Sequence, residues 1–188
     1  MSPTEYLSIS EAVCCLRDGA VIAYPTEAVY GLGCDPANEA AVEKILRMKN
    51  RPSSAGMILI ADRFDFFEPF IEPVSSELME RAMSTWPGPV TWLFPRADGV
   101  PDWLAGTHPT VAIRLTAHPV CRELSSAFNG AIVSTSANPS TAEPARNAAQ
   151  VDTWFGDALC GIVKGELGAS ERPSEIRHLA DVRVIRGG

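Results

Sequence analysis

Short apolar runs alternate along this chain with stretches whose apolar residues recur at helical spacing, and that alternation does most to limit its fold. Ala20-Val21-Ile22-Ala23-Tyr24, Met57-Ile58-Leu59-Ile60, Val90-Thr91-Trp92-Leu93-Phe94, Val111-Ala112-Ile113-Arg114-Leu115 and Ala131-Ile132-Val133-Ser134 have the length of buried strands. Gly161-Ile162-Val163-Lys164 and Val182-Arg183-Val184-Ile185 add two late strands. Between them, Ser8 or Ser10 can cap a helix ending at Asp18 with Gly19 as its stop. Asn38 can cap a second helix, with Val42, Ile45, Leu46 and Met48 as its inner stripe and Pro52 as its end. Further helices are predicted over 74–84 and 120–128.

Helices interleaved with strands give an α/β fold. Several connections are too short for helical crossovers, so the sheet is predicted to be mixed and twisted rather than all parallel. A chain of 188 residues suits one domain, 1–188, with a substantial core. No apolar run approaches the roughly 20 residues of a membrane span, and the first residues lack the pattern of a signal peptide. A cytoplasmic location and no membrane partner are therefore expected. Five cysteines with no C-x-x-C pair fit neither a disulfide framework nor a zinc site, and read as small thiols in a reducing compartment.

The net charge of −7 argues against a general nucleic-acid binder. Two local concentrations of cations run against that average: Lys44, Arg47, Lys49 and Arg51, then Arg172, Arg177, Arg183 and Arg186. Either is a solvated charged face or a holder of anions.

Familiar catalytic devices are missing. There is no G-x-x-x-x-G-K-[ST] loop and no G-x-S-x-G elbow, and Gly31-Leu32-Gly33 lacks the third glycine of a dinucleotide fingerprint. His108, His118 and His178 have no metal-ligand spacing and read as structural or exposed. The polar groups that stand out lie where strands give way to loops. Pro25-Thr26-Glu27 follows the first long strand, with Tyr30-Gly31-Leu32-Gly33 read as an extension of the same loop. Lys49-Asn50-Arg51-Pro52 sits where the second helix runs out, either complementing its dipole or presenting an ammonium and a guanidinium to phosphate. Ser134-Thr135-Ser136-Ala137-Asn138 follows a buried strand as a run of small hydrogen-bonding groups suited to an anion. Arg114, at the end of an apolar strand, needs a partner, either in an ion pair or on a substrate carboxylate.

Five segments in order carry a likeness: 23–33 (AYPTEAVYGLG), Lys49-x-Arg51-Pro52, Trp86-Pro87-Gly88-Pro89-Val90-Thr91, Ser134 to Asn138, and Pro173-Ser174-Glu175-Ile176. Together they resemble the YrdC-like family in its short, single-domain bacterial form, over nearly the whole chain. The resemblance implies a twisted α/β sheet with a concave, positively lined cavity. It also implies an L-threonylcarbamoyladenylate synthase, which turns L-threonine, bicarbonate and ATP into threonylcarbamoyl-AMP and pyrophosphate. That product serves the N6-threonylcarbamoyl modification of adenosine 37 in tRNAs reading ANN codons.

The family's K-x-R and S-x-N quartet corresponds to Lys49, Arg51, Ser136 and Asn138, expected at the nucleotide, with Lys49 and Arg51 as the catalytic charges and Arg186 as a lesser nucleotide contact. Thr26, Arg114, Ser134 and Ser174 are expected at threonine. Magnesium is expected to ride on ATP, without a tightly bound cofactor. The product is expected to pass to the threonylcarbamoyl transferase complex, and direct RNA or tRNA contact is allowed for. Pro-Ser-Glu-Ile replaces the Pro-Ser-Thr-Ile of longer relatives, which leaves the roles of Ser174 and Glu175 open. The rival readings are an RNA- or ribosome-binding module using the basic cavity, and a carbamoyltransferase acting on another acceptor.

Overall fold

The computed structural model describes residues 4–140 and 142–187. Its strands are β1 (Tyr6–Leu7), β2 (Ile22–Pro25), β3 (Tyr30–Gly33), β4 (Ile58–Ala61), β5 (Val90–Pro95), β6 (Thr110–Leu115), β7 (Ile132–Ser136), β8 (Gly161–Val163), β9 (Glu175–His178) and β10 (Val184–Arg186). Its helices are α1 (Ile9–Arg17), α2 (Glu39–Lys49), α3 (Ser76–Met83), α4 (Asp102–Ala105), α5 (Pro119–Phe128) and α6 (Ala148–Phe155).

The described strands form one mixed sheet in the order β1-β8-β2-β3-β7-β4-β6-β5-β9-β10. β8 pairs parallel with β1 and β2, β4 with β6, and β5 with β9. The pairs β2–β3, β3–β7, β4–β7, β5–β6 and β9–β10 are antiparallel. The sheet is an α/β structure of the expected mixed kind.

Local chemistry explains the helix starts. Ser8 caps α1 in a reciprocal box with Glu11, and the Asn38 side chain accepts from the Ala41 N–H at the head of α2. α2 stops at Lys49, three residues before Pro52, because Asn50 turns left-handed at φ 49°.

Tertiary pairing overrides the reading of 30–33 as loop. Tyr30–Gly33 is a buried strand antiparallel to β2, and Thr26 closes the hairpin by donating both its N–H (3.1 Å) and its hydroxyl (2.7 Å) to the Val29 carbonyl. Its glycines are packing devices. A Cβ on Gly33 would stand 2.6 Å from both the Tyr24 ring and the Val133 carbonyl oxygen. β7 likewise runs on through Ser136, so the hydroxyl run belongs to a strand rather than to the loop after it. β1, β9, α4 and α6 went unread in the sequence.

Ile22, Tyr24, Ile60, Ile132 and Val163 pack under α1 and α5, through Val13, Leu16, Cys121 and Leu124. The opposite face carries the larger core, in which Leu32, Leu59, Ile113 and Val133 meet Val42 and Ile45 of α2. A cluster of Phe64, Phe67, Trp86 and Phe94 extends it, with Trp86 and Phe94 stacked at 5.9 Å. The cysteines depart from expectation: Cys15 of α1 and Cys160, next to β8, form a disulfide across 145 positions, while Cys34 and Cys121 are buried free thiols and Cys14 is exposed. No helix among the described residues is long and apolar enough to cross a membrane.

Candidate functional site

Strand alternation builds the wall of the site. On β6, Val111, Ile113 and Leu115 enter the core, whereas Thr110, Ala112 and Arg114 face a cavity of about 720 Å³. Ser174, just before β9, and Ile176 and His178 within it repeat the period, and β4 and β7 contribute Ile58, Ser134 and Ser136. This face also carries Ile60 and Ile132, which α1 and α5 cover. Beyond those helices the face is open, and its residues change from apolar to hydroxyl and cationic. The cavity has the size of a small-molecule site.

Arg51, Arg114, Arg183, Arg186, His108 and His178 line it, and no carboxylate does so among the described lining residues. In a chain of net charge −7 this is a concentrated positive field. Desolvation, and then the charges of Arg114 and Arg51, pull Arg186 below the ordinary arginine range, although its side chain stays at the exposed rim. Three guanidiniums that repel one another favour a multiply charged anion between them.

Arg51 is held by the turn that follows it. One terminal nitrogen donates to the carbonyls of Ala55 (3.2 Å) and Gly56 (2.9 Å), and the other donates to the Thr135 hydroxyl (3.3 Å). The planar fork is thereby fixed against the wall. Burial lowers its pKa from the ordinary arginine value.

Lys49 is buried and absent from the lining. Its ammonium donates to the Ser136 carbonyl, to the Asn138 carbonyl (2.8 Å) and to the Asn138 side-chain oxygen (3.1 Å). Those acceptors match the three N–H groups of a lysine. The Asn138 amide in turn donates to the carbonyls of Pro139 (3.1 Å) and Ala142 (2.6 Å). Burial, with the Arg51 charge adding to it, brings the Lys49 pKa down to about 8.

Arg114 lies in a buried network. It donates to Ser174 Oγ (2.9 Å) and pairs with Glu27 (3.3 Å), whose other oxygen accepts from Thr116 Oγ1 (2.6 Å). Burial alone would raise the Glu27 carboxyl, but the Arg114 charge and the Thr116 hydroxyl outweigh it and hold the pKa below the ordinary value. Thr91 Oγ1 donates to Ser174 Oγ (3.2 Å), and Arg186 donates to the Ser174 carbonyl (2.9 Å).

A strap, residues 164–174, delivers Ser174 to this network. The Gly168 N–H donates to the Thr26 carbonyl (2.9 Å), the Ser170 N–H to the Glu27 carbonyl (3.0 Å), and His118 Nε2 bonds the Glu166 carbonyl oxygen (3.0 Å). Glu175 belongs to the other face of β9. It pairs with Arg177 at 2.7 Å and is not part of the cavity lining.

A model of the Sua5/YciO/YrdC family, described as telomere recombination, matches residues 14–188. The chain belongs to this family. It is 47% identical to a threonylcarbamoyl-AMP synthase of Halorhodospira halophila over 174 residues, 93% of this chain and 91% of that one. It is 45% identical to a protein of the same name from Coxiella burnetii over 179 residues, covering 95% and 96% of the two chains. Among solved structures it matches Pyrococcus abyssi Sua5 complexed with L-threonine, with a TM-score of 0.88 and 30% identity over 95% of this chain. This chain spans 53% of that Sua5 chain, about half its length.

In this Sua5/YciO/YrdC protein, Thr26, Arg51, Arg114, Ser134, Ser136, Ser174 and Arg186 meet in one cavity. Lys49 and Asn138, also singled out from the sequence, do not line it and brace each other instead. His108, His178 and Arg183 join the lining. His108 is exposed, as it was read, and His178 is half-buried; no local signal in the sequence places either of them at the cavity. His178 reaches the wall only because β9 pairs with β5. Arg183 lies in a cation cluster that the sequence did mark.

Proposed function

We propose that this chain is an L-threonylcarbamoyladenylate synthase. The observation that carries the reading is a cavity wall with four arginines, two histidines and no carboxylate among its described residues, set beside the hydroxyls of Thr26, Ser134, Ser136 and Ser174. Such a wall suits a polyphosphate together with a hydroxylated amino acid. The naming of the relatives as threonylcarbamoyl-AMP synthases supports the same reading.

The chemistry needs no nucleophilic side chain. The threonine amine and bicarbonate give a carbamate and water. A carbamate oxygen then attacks the α-phosphorus of ATP, and the α–β bridging oxygen leaves with pyrophosphate. Positioning and charge stabilisation carry such a transfer. In our assignment Arg51 and Arg186 take the phosphates, with Ser136 at a nucleotide oxygen. Lys49 and Asn138 hold the β7 exit that presents Ser136. Thr26, Ser134 and Ser174 contact threonine, and Arg114 faces its carboxylate. The described residues of the wall offer magnesium no carboxylate, and in this reading the ion is held by the triphosphate oxygens. The product passes to the threonylcarbamoyl transferase complex acting on adenosine 37 of tRNAs reading ANN codons, and the protein works in the cytoplasm.

The test is to incubate pure protein with ATP, labelled bicarbonate and single amino acids. Threonine-dependent pyrophosphate release with a labelled adenylate is the expected result. No release, or equal release with every amino acid, overturns the reading.

A further inference from the structure

Glu27 lies at the tip of the β2–β3 hairpin, beside Thr26, yet its carboxylate does not line the cavity. It stands behind the wall, where it is the carboxylate paired with Arg114. We infer that Glu27 is a positioning residue that aims the Arg114 guanidinium at the amino-acid end of the cavity and couples that aim to the strap carrying Ser174. This inference rests on the function proposed above.

The geometry carries the argument. The two terminal nitrogens of Arg114 are tied to opposite sides, one to Ser174 Oγ (2.9 Å) and one to Glu27 (3.3 Å). A planar fork anchored at both tips cannot rotate about its own axis. Its Nε is buried without a partner among the described residues, which give the side chain no third anchor to replace a lost one. Glu27 is itself fixed, by Thr116 Oγ1 at 2.6 Å and by its own backbone carbonyl, which accepts from the Ser170 N–H of the strap at 3.0 Å. One residue therefore sets the direction of the guanidinium through its carboxylate and the position of the strap through its carbonyl. Of the groups assigned to threonine, Arg114 bonds it directly, Ser174 is joined to it through Arg114, and Thr26 is its neighbour in the chain. Of the groups assigned to the nucleotide, Arg51 and Ser136 have no bond to it, and Arg186 reaches it only at second hand, through Ser174.

The test separates the two ends of the cavity. Glu27→Gln keeps the shape and removes the charge. The expected outcome is a rise of about tenfold in the KM for threonine with a change below about twofold in the KM for ATP, since lost orientation acts at one substrate. Arg114→Lys is expected to give the same split, and the double variant to be no worse than the poorer single one, as residues acting as a unit are non-additive. Thr116→Val, which leaves both charges in place, guards against misfolding of Glu27→Gln and is expected to raise only the threonine KM, by a few-fold. A fold defect without a positioning role moves both KM values together. An unchanged threonine KM, or equal rises for both substrates, overturns the inference. If the wild-type protein shows no threonine-dependent pyrophosphate release, the proposed function fails and the positioning is decided by NMR. The Arg114 Nη–H protons, which bond Ser174 and Glu27, are expected to be slow to exchange in the wild type and fast in Glu27→Gln. Equal exchange in both overturns the inference.

Discussion

The Lys49 ammonium closes on the carbonyl oxygens of Ser136 and Asn138, the first of them 87 positions away in sequence. Burial around it is nearly complete, and all three of its protons are matched by acceptors on one short segment. A lysine so engaged acts on the shape of the β7 exit rather than reaching into the cavity. Replacement by methionine keeps much of the volume and strips the Asn138 carbonyl and side-chain oxygens of the ammonium, while the Ser136 carbonyl keeps the Asn138 N–H at 3.0 Å. The expected cost is about 1–3 kcal/mol for stranded buried polar groups. Urea denaturation of Lys49→Met against the wild type measures it. ATP titration of the same variant is expected to show weakened binding, and wild-type ATP affinity would refute the bracing role.

The same ammonium makes nucleotide binding sensitive to pH. With a folded pKa of about 8, Lys49 begins to lose its proton just above neutrality, and a neutral amine has too few protons for three acceptors. The Kd for ATP is expected to rise above pH 8 by up to about tenfold per unit, and to lose that dependence in Lys49→Met. Stability moves the other way. Because the folded pKa lies below that of a free lysine, the unfolded chain holds the extra proton from pH 8 up to about 10.4. The contribution of this group to folding therefore increases with pH across that window. Calorimetric ATP titrations and urea midpoints between pH 7 and about 10, each referred to Lys49→Met, check both signs.

Gly168 lets the strap lie against the hairpin. A Cβ there would stand 2.7 Å from the Glu27 carbonyl oxygen and 2.9 Å from the Glu27 Cα, both backbone atoms that cannot swing aside. Gly168→Ala is expected to lift the strap and to cost about 1–3 kcal/mol, the usual range for overpacking. Ser174 moves with the strap, so threonine binding should suffer more than ATP binding. Separate titrations with the two ligands decide the point, and equal losses would contradict it.

What could be read along the chain were features with a local cause. Ser8 and Asn38 announce their helices because a cap is decided within three residues. Ser134 to Ser136 stood out because hydroxyls seldom follow a buried apolar run without a use. Features with a distant cause were hidden. Tyr30–Gly33 resembles a loop until Tyr24 and Val133 are seen to exclude side chains from Gly33. Glu175–His178 reads as polar because its charged pair lies on one face, while Ile176 and His178 turn to the cavity. Lys49 and Arg51, two positions apart, look like equal candidates for phosphate. Only the fold shows one braced behind the wall and the other set in it.

Arg51 therefore offers the sharpest test of the nucleotide end. Its guanidinium is the one cation of the Lys49-x-Arg51 pair that lines the cavity, and it is held by Thr135, Ala55 and Gly56, which line the cavity beside it. Lysine at this position preserves the charge but cannot span the hydroxyl on one side and two carbonyls on the other while facing a phosphate. If positioned charge drives the transfer, Arg51→Lys is expected to lower kcat for pyrophosphate release by about 100-fold, as losing one preorganised donor does elsewhere. Since the fork also anchors the turn, a modest loss of thermal stability should accompany it. Arg47→Lys, outside the cavity with an exposed side chain, is the control and should stay within about twofold, because an exposed charge is well screened by solvent. An Arg51→Lys enzyme with near-normal kcat would show that the charge alone suffices, and would move the catalytic weight to Arg114 and Arg186.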